Sequence, residues 1–195
     1  MSAVKILIVD DMRIISELIA SLLNELNEPF QYLFAMNGKE ACKMAHAARP
    51  DLVIMDWEMP EMSGYEALQR MKKNDALKDI PVIISSGFTE SENIRLALEA
   101  GAIDYIRKPI DGIELIARVR SVLALTSAYN KLREQTVLLN HERQRTHNII
   151  KGYLPESVVK EILNDGFVKP RRYKEVSVLF ADLVDFTTTT NSMSP

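Results

Sequence analysis

Two apolar patterns alternate along the chain: short continuous runs, and longer stretches in which apolar residues return every three or four positions. Lys5 to Val9 is a run of the first kind and ends on Asp10-Asp11, as a strand buried on both faces does. Ile15, Leu18, Ile19, Leu22 and Leu26 then recur at helical spacing, which predicts an amphipathic helix from Met12 to Asn27, stopped by Glu28-Pro29. Tyr32–Ala35, Leu52–Asp56, Val82–Ser86 and Tyr105–Ile106 read as further strands. Paired caps signal the helices between them: Asn37 with Glu40, Ser63 with Glu66, Thr89 with Glu92 and Asp111 with Glu114. In each pair the first side chain can satisfy a first-turn amide while the acid three residues on reaches back. This alternation over residues 1 to 125 predicts a parallel sheet covered by helices on both faces.

From Asp111 the pattern changes. Ile113, Ile116, Val119 and Leu123 begin a helix, and no breaker follows until Gly152, far beyond ordinary globular length. A heptad runs through Val122, Tyr129, Thr136, Arg143 and Ile150, with Leu125, Leu132, Leu139, Thr146 and Tyr153 as its second row. It is polar from Asn140 to Asn148 and apolar again at Ile149-Ile150. We read a parallel dimeric coiled coil with a weak middle that lets the helix rotate or shift register; an exposed monomeric helix is the alternative. His141-Glu142-Arg143 reads as solvated helix surface. Tyr153-Leu154-Pro155 turns into a short helix that stops near Asn164-Asp165-Gly166, and Glu175 to Asp182 is strand-like and ends on a carboxylate.

Composition narrows the classes. Of 195 residues, 47% are hydrophobic and 26% charged, the balance of a soluble globular protein. A formal charge of -3 argues against a general polyanion binder, so no nucleic-acid partner is expected. The local cluster Lys169, Arg171, Arg172 and Lys174 reads as solvated surface. Cys42 is the only cysteine, which excludes an internal disulfide, and its place in a helix suits a small packing residue. No run approaches the roughly 18 apolar residues of a membrane span, and the N-terminus lacks a signal peptide's apolar region. A cytoplasmic location is expected.

Chemistry collects where the predicted strands end. Asp10 and Asp11 follow the first strand and Asp56 ends the third. Ser85-Ser86 end the fourth and Lys108-Pro109 follow the fifth. In a parallel sheet all of these stand on the carboxyl edge, where ligands bind. Three crowded carboxylates need a cation, and hard oxygen donors suit Mg²⁺. A lysine and a hydroxyl facing the same point make a place for a phosphoryl group. The residues therefore describe a Mg²⁺-assisted phosphoryl site with Asp56 as nucleophile. Asp10 or Asp11 can also cap the helix that follows.

Four segments carry a resemblance to the receiver domain of bacterial response regulators. They are Ile8-Val9-Asp10-Asp11, Asp56 through Gly64, Pro81 through Gly87, and Gly101 through Pro109. The resemblance implies a flavodoxin-like α/β fold with five strands in the order 2-1-3-4-5 and five helices. It implies that Asp56 accepts the phosphoryl group from a cognate sensor histidine kinase. Asp11 would bind Mg²⁺ directly, Asp10 would assist, and Glu58 would offer its backbone carbonyl. Ser86 would hold the switch hydroxyl, Lys108 would bond a phosphoryl oxygen, and Tyr105 would be the aromatic that turns. Glu58 and Phe88 stand at positions that tune acyl-phosphate hydrolysis, and Phe88, having no polar group to orient water, implies a long-lived phosphoryl state.

Residues 153–195 resemble the entry to a class III adenylate/guanylate cyclase domain. The resemblance rests on Val178-Leu179-Phe180-Ala181-Asp182-Leu183-Val184-Asp185-Phe186-Thr187 and the upstream Leu-Pro-x-x-Val-Val helix. Asp185 stands where that family usually has glycine. Asp182 would be the first of two metal-binding aspartates, and the second lies later in such domains. The expected organisation is a receiver at 1–125, a helical linker at 126–152 joining a homodimer, and a truncated cyclase fragment at 153–195 from which no enzyme activity is expected. The alternative is a receiver with a coiled-coil tail that docks a partner without enzymatic output.

Overall fold

The computed structural model describes residues 3–87, 91–170, 172, 174, 175 and 177. Five strands are β1 (Val4–Val9), β2 (Phe30–Ala35), β3 (Leu52–Asp56), β4 (Val82–Ser86) and β5 (Asp104–Arg107). They form one sheet in the order β2-β1-β3-β4-β5, with every pairing parallel. The helices are α1 (Arg13–Asn24), α2 (Gly38–Ala48), α3 (Gly64–Lys73), α4 (Ser91–Glu99), α5 (Gly112–Tyr153) and α6 (Glu156–Asp165). This is the flavodoxin-like sheet expected from the sequence, with a long helix after it.

Side chains alternate across the sheet with the period of a strand. Leu7 and Val9 of β1 enter the core under α2, α3 and α4, where Ala41, Ala45, Ala67, Leu68, Met71 and Ala97 meet them. Ile6 and Ile8 enter the other core, against Ile19 and Leu23 of α1 and Leu115, Val119 and Val122 of α5. Burial on both faces favours apolar residues at every position, which is why residues 6–9 of β1, 52–55 of β3 and 82–84 of β4 read as continuous apolar runs. Each fully buried Leu or Ile contributes about 2 kcal/mol of transfer free energy.

The helix ends refine the expected caps. Ser63 and Glu66 form the full reciprocal box at α3. Asn37 accepts from the Glu40 amide at 2.8 Å, but the Glu40 carboxylate accepts from Met36 N–H at 2.9 Å instead of returning to Asn37. Asp111 accepts from the Glu114 amide at 2.9 Å, while the Glu114 carboxylate turns to Arg118. The pair Thr89 and Glu92 lies outside the residues whose side chains are described. Helix α1 ends before the expected Asn27, because Leu26 and Asn27 make tighter bonds to carbonyls three residues back and Asn27 adopts φ 52°.

The chain divides into two compact units, Met1–Val137 and Leu138–Pro195. In the first, Val122 is 4% exposed and belongs to the sheet's core. The first heptad position therefore serves the sheet and has no surface for a helix partner. In the second, α6 spans Glu156–Asp165 and stops at Gly166, whose φ of 76° suits glycine and whose N–H bonds Ile162 O at 3.0 Å. The expected strand ending at Asp182 lies outside the described residues. No helix among the described residues is long and apolar enough to cross a membrane.

Candidate functional site

Parallel strands deliver their C-terminal residues to one edge, and there the structure brings together Asp10, Asp56, Ser86 and Lys108. Asp10 is 1% exposed and Asp56 6%. Lys108 Nζ lies 2.8 Å from Asp10 Oδ2 and 2.9 Å from Asp56 Oδ1, so one ammonium bridges two buried carboxylates. Asp10 Oδ1 accepts from Met12 N–H at 2.9 Å, which fixes the carboxylate and stands in for a cap that α1 otherwise lacks. Asp56 Oδ1 also accepts from Trp57 N–H at 2.9 Å.

The loop after β3 is pulled onto the strand it leaves. Trp57 N–H bonds Ser85 O at 2.8 Å, and Gly64 N–H bonds Trp57 O at 2.9 Å. A Cβ on Gly64 would stand 1.9 Å from the carbonyl oxygen of Asp56, so no other residue fits without moving the backbone of the site. Gly38 makes a second close approach, with a built Cβ 2.8 Å from Met62 O. The Trp57 and Tyr65 rings pack over this loop with centroids 5.1 Å apart. The Ser63-Gly64 pair was visible in the sequence, but a glycine required by a contact eight residues back leaves no periodic signature.

Ser86 connects the site to the interior. Its carbonyl accepts from Lys108 N–H at 2.9 Å and from the Tyr105 hydroxyl at 3.4 Å. Tyr105 is 5% exposed, with its ring inside the core and its oxygen turned toward β4. Three expected site residues thus share one carbonyl. Glu58 is exposed in the loop after β3. Phe88 and Asp182 lie outside the described residues. Cys42 packs half-buried against the core, and burial pushes its thiol up, away from nucleophilic character.

The electrostatics follow from burial. Burial raises the Asp56 carboxyl above its ordinary value; the Lys108 hydrogen bond and charge oppose this and Asp10 adds to it. For Lys108 burial acts downward, but the hydrogen bonds it donates to two carboxylates, and their charges, outweigh it and hold the ammonium charged. Oxygens of Asp10, Asp11 and Asp56 lie within 4.8 Å of one another, with Asp11 at the exposed side. That span is close to the about 4.2 Å separating opposite ligands of Mg²⁺, and the donors are all hard oxygens. Three carboxylates against one ammonium leave excess negative charge, so a small dication fits the site.

Residues 6–120 match the response regulator receiver domain family. The phosphate regulon transcriptional regulatory protein PhoB of Pseudomonas aeruginosa is 40% identical over 121 residues, covering 62% of this chain and 52% of the relative. The response regulator PleD of Caulobacter vibrioides is 33% identical over 131 residues, covering 67% and 28%. Among solved structures, the Francisella response regulator 1452 receiver domain superposes with a TM-score of 0.58 at 32% identity, covering 63% of this chain and 98% of that one. The chemotaxis response regulator CheY4 of Vibrio cholerae gives 0.57 at 26%, covering 62% and 99%. The chain spans about half the length of the curated relatives it matches first.

Proposed function

The chain belongs to the response regulator receiver family, and from that premise we propose that Asp56 accepts a phosphoryl group from a sensor histidine kinase and passes the change to an output along α5. The observation that carries this is the bridging of Asp10 and Asp56 by Lys108 Nζ at the carboxyl edge of the sheet. An Asp56 oxygen attacks phosphorus, forming an O–P bond as the bond from phosphorus to the kinase imidazole breaks. Asp10, Asp11, Asp56 and the Glu58 carbonyl would hold Mg²⁺, whose charge offsets that on the transferring oxygens. Lys108 is placed to exchange the Asp56 carboxylate for a phosphoryl oxygen while keeping Asp10. Ser86 then draws toward the new oxygens. Its carbonyl carries that motion to Tyr105, and the surface around β5 changes shape.

The output is proposed from the resemblance of residues 153–195 to a class III cyclase entry. The α6 helix and its Gly166 stop support that resemblance. Phosphorylation would align two copies through α5 and with them two cyclase domains. The second reading, a receiver that docks a protein through α5, is favoured by the exposed apolar residues Leu125, Tyr129 and Leu132. Net charge of -3 favours protein partners over nucleic acid in both.

The test is phosphotransfer from a phosphorylated histidine kinase or from acetyl phosphate. The wild-type protein takes up label with Mg²⁺ and loses the reaction with a chelator, and Asp56→Asn takes up none. Equal labelling of the two proteins would remove Asp56 from the mechanism.

A further inference from the structure

Helix α5 is unbroken from Gly112 to Tyr153. On it Leu125, Tyr129, Leu132 and Leu139 are between 56% and 62% exposed. Because Val122 is committed to the sheet, an apolar seam is open to a partner only from Leu125 onward. Arg143 stands on the same heptad row as Tyr129 and Thr136, where a charge needs a counter-ion. Its own helix supplies none: three and four positions away stand Leu139, Asn140, Thr146 and His147. Glu142, next to it, has Arg145 three positions on, yet Glu142 and Arg143 are both exposed and make no ion pair among the described residues.

Building on the dimeric reading of α5 above, we propose that this face binds a second copy of the chain, parallel and in register, with Arg143 of each copy paired to Glu142 of the other. In a parallel two-chain seam, each residue of this row enters a hole lined by four residues of the facing helix. For Arg143 those are Leu139, Glu142, Arg143 and Thr146 of the second copy. Two arginines and two glutamates then share one layer whose charges cancel, and the small Thr146 leaves room for the arginine stems. The layer also selects register. Shifted one heptad toward the N-terminus, Arg143 meets Leu132, Gln135, Thr136 and Leu139; shifted the other way, it meets Thr146, Ile149, Ile150 and Tyr153. Neither set contains a carboxylate. A polar layer of this kind weakens the seam and specifies its alignment, as a helix that transmits a signal between two aligned outputs requires.

Charge reversal tests the pairing in the 195-residue chain, with dimerisation measured by sedimentation equilibrium in Mg²⁺ and beryllium fluoride, an acyl-phosphate mimic. Glu142→Arg and Arg143→Glu each put four like charges in the layer and weaken the dimer about tenfold. The double reversal E142R/R143E restores it to within about threefold of wild type. Single reversals without effect, or a double reversal as weak as either single, overturn the pairing while leaving the dimer intact. A wild-type chain that stays monomeric at every concentration overturns the dimer itself and the pairing with it.

Discussion

Lys108 and Arg133 both reach an aspartate far away in sequence, 98 and 54 residues off, but their surroundings differ. Lys108 is 25% exposed against an Asp10 that is 1% exposed, whereas Arg133 and Asp79 are 64% and 65% exposed with a 3.2 Å contact. At the sheet edge, Asp10 and Asp56 are shielded from water and each is fixed by a backbone amide, so removing their partner strands a buried charge. Along α5, solvent screens the pair and either side chain can let go at little cost. The same chemical pairing is thus a structural commitment in one place and a passing contact in the other.

The largest break in this contrast comes from Gly64→Ala. With a Cβ 1.9 Å from the Asp56 carbonyl, the loop must move off β3. The expected loss is about 3 kcal/mol by urea denaturation, together with loss of phosphotransfer. Lys108→Met comes next. It leaves Asp10 and Asp56 without their shared ammonium and costs about 2 kcal/mol without divalent cation, the partial exposure of Lys108 reducing the full buried-pair penalty. Mg²⁺ then raises the melting temperature of this variant more than that of wild type, since the dication replaces the missing charge.

Asp56→Asn works in the opposite direction. A carboxyl whose folded pKa lies above its unfolded value stabilises the fold fully below that unfolded value. The contribution is lost as pH rises through the folded pKa. The amide has no such loss. In the absence of divalent cation, the stability of Asp56→Asn relative to wild type should therefore grow as pH rises above about 4, and level off once pH has passed the raised folded pKa. A difference that shrinks across this range would mean that Lys108 outweighs burial. The smallest effect is reserved for Arg133→Ala, which should change stability by less than about 0.5 kcal/mol and leave phosphotransfer untouched.

What could be read from the sequence follows the same division. The strands were legible because burial on both faces favours unbroken apolar runs, and β3 and β4 have the expected bounds, Leu52–Asp56 and Val82–Ser86. Strand β5 extends one residue beyond each end of Tyr105–Ile106, because Asp104 and Arg107 are polar and reveal themselves only through pairing with β4 and, for Asp104, an ion pair with Arg118. Asp10, Asp56, Ser86 and Lys108 were legible as a set because parallel strands must bring their ends together. The double grip of Lys108 and the contact of Gly64 depend on approach in three dimensions, which no periodicity records. The heptad through α5 was legible as a pattern, but its first member, Val122, satisfies the sheet's core and the helical repeat with the same spacing.

The central claim is that Asp56 receives the phosphoryl group, and locating the group tests it most directly. The protein is phosphorylated in Mg²⁺, the acyl phosphate is trapped by borohydride reduction, and the modified peptide is mapped by mass spectrometry. The account predicts a single reduced residue at Asp56, absent from Asp56→Asn. Reduction at Asp10 or Asp11 in wild type, or continued acyl-phosphate formation in Asp56→Asn, would contradict it.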